Sequence, residues 1–354
     1  MRASLLTLWL LLAPAMAAAQ GFAGLGIDAD DYQKPVSDRV LSFPADHGPH
    51  PGYRIEWWYL TANLEGADGK SYGVQFTLFR QAGAPPPERE GWANQQFWLG
   101  HVALTTADRH FYDERLARGG VGQAGAVAEP FAAWVDDWRI AAVGDGPATA
   151  LGFGDLRLKA NADGFGYDLR LTTDAPPVLQ GAGGYSVKSD RGQASYYYSQ
   201  PYFRVEGTTE IEGQTIEVSG RAWMDREWSS QPLAEDQSGW DWFSLHLGPS
   251  TKMMLFRLRQ DDGGHFFSGN WIEGTVSTTI PGDDIRLEIL EETELPGRRV
   301  PISWRVSVPS RGVDVEVHPL NPRAWNGTQI GYWEGPVTGT GTHDAIGYLE
   351  MTGY

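Results

Sequence analysis

From Gly52 onward, short apolar or aromatic runs alternate with turn residues, and the period of the apolar positions is two rather than 3.6. Gly52 to Leu64 reads as a strand, Gly66-Ala67-Asp68-Gly69-Lys70 as a turn and Tyr72 to Arg80 as the returning strand of a hairpin. Beyond a proline-rich loop from Ala82 to Arg89, strands are predicted at 97–105, 151–160, 167–173, 195–206 and 215–223. Residues 106–140 are less regular, and the segment Phe131 to Trp138 predicts one short helix. From about Arg221 the pattern begins again, with strands predicted at 240–247, 252–260, 265–272, 284–290, 302–308, 313–319, 331–337 and 345–353. A strand every 8 to 12 residues or so, with a restart near 220, predicts an all-β chain of two antiparallel barrels in tandem.

The first twenty residues place Arg2 ahead of an apolar run, Leu5 to Leu12, and close on Ala17-Ala18-Ala19. That order predicts a secretory signal peptide over 1–19, since the run is well short of the roughly 20 residues a spanning helix needs. The expected organisation is then a lead at 20–45, an N-terminal barrel at 46–220 and a C-terminal barrel at 221–354, in a periplasmic or secreted protein. The chain has no cysteine, which excludes disulfides and a lipid-modified N-terminus. Stability must therefore come from its cores, and 15 Trp, 14 Tyr and 14 Phe supply them while 44 Gly and 22 Pro supply the turns.

The formal charge of −17 falls to −18 when Arg2 leaves with the signal, and the basic residues are scattered singly among acids. A nucleic-acid partner is excluded on that ground. No nucleophile elbow, zinc-protease helix motif, phosphate loop or dinucleotide fingerprint is present, so neither a cofactor nor a metal is expected. His47 and His50 lack a third ligand at a useful spacing and read as a polar loop before the first strand.

Chemistry is concentrated where acids stand among aromatics. In a strand from 220 to 228, alternation puts Trp223, Asp225 and Glu227 on one face and Met224, Arg226 and Trp228 on the other. In the first strand Glu56 and Trp58 oppose Ile55, Trp57 and Tyr59, and in 239–247 Trp240 and Trp242 oppose Asp241 and Phe243. A carboxyl inside an aromatic-lined barrel is desolvated and its pKa rises, which makes it a proton donor near neutrality. Aromatic faces around it would stabilise a developing carbocation by about 0.5–2 kcal/mol each. The competing reading is structural, an Asp225 or Glu227 tied to Arg221 or Arg226, with the tyrosines of 196–198 packed in the core.

The segments EWWY (56–59) behind His50, YYYSQPY (196–202), MDREWSSQPL (224–233), GWDWFSLHL (239–247) and YLEMTGY (348–354) resemble the carotenoid 1,2-hydratase and secreted lipocalin-like hydrolase family over about residues 45–354. The resemblance implies two lipocalin-like barrels and a hydrophobic small molecule, isoprenoid or lipid, as the substrate. It also implies acid-catalysed hydration or hydrolysis. The family's catalytic aspartate maps onto Asp225, although its neighbours here, in Trp223-x-Asp225 and Tyr196-x-Tyr198, differ from the family's. The catalytic candidates are thus Asp225, Glu227 and Glu56, and the ligand-binding candidates Trp57, Trp58, Tyr196, Tyr198, Trp223, Trp240 and Trp242. A second reading implied by the resemblance is a non-catalytic lipid carrier serving an ABC-type export or lipoprotein-release transporter at the membrane.

Overall fold

The computed structural model describes residues 22–25, 27, 29–144 and 153–354, so the expected signal peptide at 1–19 lies outside the described residues. The first sheet opens with β1 (Ile55–Gly66), β2 (Ser71–Ala82), β3 (Gln96–Thr105) and β4 (His110–Arg118). It continues with β5 (Ala124–Ala128), β6 (Phe131–Val135), β7 (Trp138–Ala142), β8 (Asp155–Ala162) and β9 (Phe165–Thr172). Two short strands, β10 (Val178–Leu179) and β11 (Tyr185–Val187), precede the long pair β12 (Ala194–Ile211) and β13 (Gln214–Ser229). The second sheet holds β14 (Gln237–His246), β15 (Thr251–Gln260), β16 (His265–Glu273), β17 (Val276–Ile280) and β18 (Arg286–Leu295). It ends with β19 (Arg298–Val308), β20 (Val313–Pro319), β21 (Trp325–Asn326), β22 (Tyr332–Gly341) and β23 (Ala345–Thr352).

The first sheet runs β4-β3-β2-β1-β13-β12-β9-β8-β7-β6-β5 and curls into a nearly closed barrel. The second runs β17-β16-β15-β14-β23-β22-β20-β19-β18 as a half-barrel, and every pairing in both is antiparallel. The chain passes between sheets from Ser229 to Gln237, so the restart seen near residue 220 falls inside β13. Strand β13 overshoots it because its pairing with β1 continues to Ser229.

The segment expected as a helix, Phe131 to Trp138, is instead the β6–β7 hairpin. Asp136 takes φ 52 at its turn, which aspartate tolerates, and Phe131, Ala133, Val135, Trp138 and Ile140 all point into the barrel core. Strand β8 shows the ordinary signature of a sheet with one wet face, its residues alternately buried and open. Strand β1 over most of its length and β13 from Ala222 to Ser229 do not, being buried on both faces.

The reason is a third core. One face of β1, β12 and β13 fills the barrel with Trp58, Leu60, Tyr196, Tyr198, Met224 and Trp228. Their other face carries Tyr59, Tyr197 and Trp223, which pack against Trp242, Met254, Phe256 and Tyr348 of the half-barrel. The two sheets therefore share an aromatic seam, and the site lies in it.

Candidate functional site

Along β13 the alternation expected from the sequence holds, and Trp223, Asp225 and Glu227 face the seam. Register with β1 and β12 sets Tyr59 and Ser199 opposite Asp225, and Trp57 and Tyr197 opposite Glu227. The half-barrel closes the space with Trp240 and Trp242 of β14, Phe256 and Leu258 of β15 and Glu350 of β23. Between them is a cavity of about 770 Å³, counting its mouth, into which Lys188 also reaches. Its walls are aromatic: Tyr59 meets Trp242 edge to face at 5.3 Å, and Trp57 lies 6.4 Å from Phe79.

Asp225 is 3% exposed and forms no ion pair among the described residues. Its Oδ2 accepts the Tyr197 hydroxyl at 2.6 Å, and its Oδ1 accepts the Ser199 hydroxyl and the Trp223 indole N–H, the latter at 2.6 Å. These donors are themselves oriented, since Trp242 donates to the Tyr197 oxygen at 3.2 Å and Gln180 to the Ser199 oxygen at 2.7 Å. Burial pushes the Asp225 carboxyl up to about 7 against the pull of those hydrogen bonds, with Glu227 adding to the rise.

The other carboxylates divide by partner. Glu227 pairs with Lys188 at 2.8 Å, and that ammonium also stands 4.3 Å from the Phe256 ring. Glu350 pairs with no cation among the described residues. It accepts the Trp240 indole N–H, and burial, reinforced by Asp225 and Glu227, pushes it up to about 7. Glu334, opposite Glu350 on β22, accepts the Tyr59 hydroxyl and is held well above the usual carboxylate range, by burial first and then by Glu350. The cavity thus presents two acids, Asp225 and Glu350, that titrate near neutrality without a cation to hold either one ionised.

Of the residues singled out in the sequence, Asp225, Glu227, Trp57, Trp240 and Trp242 line this cavity, and Trp223 stands directly behind Asp225. Four others do not. Glu56 projects from the opposite face of β1 into the barrel, where it is 0% exposed and binds Arg80 and Arg226, the latter at 2.5 Å. Burial alone would raise its pKa, but the two guanidinium groups hold the carboxyl well below its ordinary range, which makes it a poor proton donor. Trp58 lies under the Arg226 guanidinium at 3.7 Å, and Tyr196 and Tyr198 are barrel core, Tyr198 donating toward the loop at Asp46. Arg226 is accordingly not available to Asp225, and no Asp225–arginine pair forms.

Sequence reasoning missed Tyr197, Ser199, Lys188 and Glu350. Tyr197 and Ser199 sit between the two tyrosines chosen and one step beyond them, on the face of β12 that alternation assigns away from Tyr196 and Tyr198. Glu350 was in view inside YLEMTGY, but nothing local marks it as a neighbour of Asp225. His47 is buried in the barrel, 2.7 Å from the Tyr198 hydroxyl, and His50 stacks on Trp228. Among the described residues, no group of three or more His, Asp or Glu side chains is disposed to hold a metal ion.

The family model described as AttH-like matches residues 34–354. The crystal structure of an AttH-type protein from Nitrosomonas europaea is 30% identical, covers 91% of this chain and 99% of its own, and superposes with a TM-score of 0.80. Kievitone hydratase from Nectria haematococca shares the fold at 14% identity, with 90% and 97% of the chains covered and a TM-score of 0.62. The structure of CghA with Sch210972 does so at 13% identity, 92% and 96% coverage and a TM-score of 0.51. No curated protein sequence matches the chain at a significant level.

Proposed function

Because the chain belongs to the AttH-like family, with its tandem barrel and half-barrel, we propose that the seam cavity is an acid–base site for a hydrophobic small molecule, an isoprenoid or other lipid. The observation that carries this reading is a carboxyl, Asp225, buried in an aromatic wall, held by three neutral donors and poised near pH 7. One fold relative is a hydratase and another was solved with Sch210972, which supports a ligand site in this fold.

The chemistry follows from the geometry. Protonated Asp225 delivers its proton to one carbon of a substrate double bond, and positive charge develops on the other. The faces of Trp57, Tyr59 and Trp242 stabilise that charge. Water then forms the new C–O bond, and its surplus proton goes to the carboxylate of Glu350, from which the pair is reset by exchange with solvent. Burial, with the neighbouring Glu227 adding to it, favours the protonated form of Asp225, and Lys188 pairs with Glu227 at 2.8 Å. The same site on an exported protein serves hydrolysis equally, with a polar leaving group taking the proton.

Incubation with a panel of acyclic isoprenoids and alkenyl lipids in isotopically labelled water tests the reading. A product heavier by one labelled water is expected, and Asp225→Asn lowers its rate by about 10²–10⁴-fold while ligand quenching of tryptophan emission persists. Unchanged turnover in Asp225→Asn would rule the role out. A non-catalytic carrier handing its ligand to a membrane transporter is favoured by the apolar lining alone, and would show quenching without product.

A further inference from the structure

At the other end of the seam the same face of β13 makes a second, chemically opposite site. Arg221 lies two positions before Trp223, and across the β12–β13 ladder it is directly opposite Arg204. Two guanidinium groups side by side repel each other, and Arg221 forms no ion pair among the described residues. Arg204 reaches only Asp174, at 3.5 Å, on the exposed rim.

These arginines edge an open trench of about 1320 Å³, counting its mouth. Its floor is made by Lys252 and His246, which are 3% and 4% exposed. The Lys252 ammonium spends two donors on the carbonyls of Gly248 and Pro249, at 2.7 and 2.9 Å, and stands 5.0 Å from the Tyr202 ring, which leaves its third donor without a hydrogen-bond acceptor. His246 packs edge to face on Trp223, 5.9 Å between rings, and its buried Nδ1 has no hydrogen-bond partner. An orphaned buried nitrogen of this kind needs a partner, a water or an ion. Apart from Asp174 and Asp344 at the rim, the charges around the trench are positive, in a chain whose formal charge is −17. Burial, then Lys252 and Arg221, hold the His246 ring neutral, and burial followed by Arg221 brings the Lys252 ammonium down to about 8.

We propose that this trench binds an oxyanion, a phosphate or carboxylate group borne either by a free anion or by the head of an amphiphile. Arg204 and Arg221 flank it, the free Lys252 donor meets it from below, and His246 Nδ1–H supplies a further donor. The anion relieves the repulsion between the arginines and satisfies the orphaned ring nitrogen. Trp223, in contact with His246 on one side and Asp225 on the other, separates this site from the cavity, so the trench stands whether or not the cavity is catalytic.

Calorimetric titration of the full chain with inorganic phosphate, with acetate and with short-chain phosphatidic acid below its micelle concentration tests the proposal, each against sodium chloride of equal ionic strength. Saturable binding is expected, weakened about tenfold or more in Arg221→Gln, at an exposed position, and unchanged in Arg305→Gln on β19, outside the trench. Phosphatidic acid binding much more tightly than phosphate identifies a headgroup site, and equal affinities identify a free oxyanion. A ring-nitrogen NMR signal of His246 that moves toward the protonated form on adding phosphate locates the ion independently of any variant. Heats no larger than those of chloride for all three probes, or binding that survives both Arg221→Gln and Arg204→Gln, would overturn it.

Discussion

Asp225 and Glu56 are two acids buried to the same degree on adjacent strands, and their surroundings send them in opposite directions. Asp225 meets only neutral donors and rises to about 7, whereas Glu56 is neutralised by Arg80 and Arg226 and falls. A group whose folded pKa is raised binds a proton that the unfolded chain has already lost. Its contribution is fully present below the unfolded value near 3.8 and is lost as pH climbs to about 7. The stability difference between Asp225→Asn and the wild type should therefore grow in favour of the variant between pH 4 and 7, by on the order of 4 kcal/mol, and be flat above. Urea denaturation across that range measures it; a difference that does not change with pH would mean Asp225 is not held protonated. Glu56→Gln should behave otherwise. It strands two buried guanidinium groups and is expected to lower stability by about 3–5 kcal/mol in the same assay, while leaving ligand quenching intact. Glu350→Gln, which keeps the Trp240 hydrogen bond, should remove one limb of the pH–rate profile of the identified reaction.

At the level of elements, the site depends on strands that are buried on both faces, and on how closely the two sheets approach. Gly73 of β2 marks that approach. A side chain there would meet Pro336 Cγ and the Tyr348 hydroxyl, each at 2.5 Å from its Cβ, and both belong to the half-barrel. Gly73→Val should force the sheets apart, lower stability by about 1–3 kcal/mol and loosen the cavity, seen as faster acrylamide quenching of the seam tryptophans. The β6–β7 hairpin shows how local pattern can mislead at this level. Three tightly spaced aromatics among small residues suit a helix face as well as two short strands, and Asp136-Asp137, a turn with a left-handed first residue, decides for the strands.

For the whole molecule, the shared seam makes barrel and half-barrel a single cooperative unit. Tyr59, Tyr197 and Trp223 from one sheet and Trp242, Phe256 and Tyr348 from the other lose their cover together when the sheets part. Thermal unfolding of the intact chain should show one transition by both tryptophan emission and far-ultraviolet dichroism. A fragment beginning at residue 230 should expose an apolar sheet face, bind a hydrophobic dye and aggregate, whereas a dispersed, dye-silent fragment would show that the half-barrel is independent.

Outside residues 106–140, where β4 to β7 were not read, most strands, the strand faces and the family resemblance were legible in the amino-acid sequence alone, because alternation of period two is a local property of an extended chain. It was enough to put Trp223, Asp225 and Glu227 together and to set Glu56 with Trp58. What each face meets is not local. Whether a face fills the barrel or turns to the seam depends on how the sheet curls, and that separated Asp225 from Glu56 and moved Tyr196 and Tyr198 out of the site. Which acid finds a cation depends on the register between strands far apart in the chain, which gave Glu56 to Arg80 and Arg226 and left Asp225 with neutral donors. Glu350 and Lys188 reached the cavity by the same route. Desolvation and charge pairing act through space, so the protonation states that make the site chemically useful were decided by the tertiary structure.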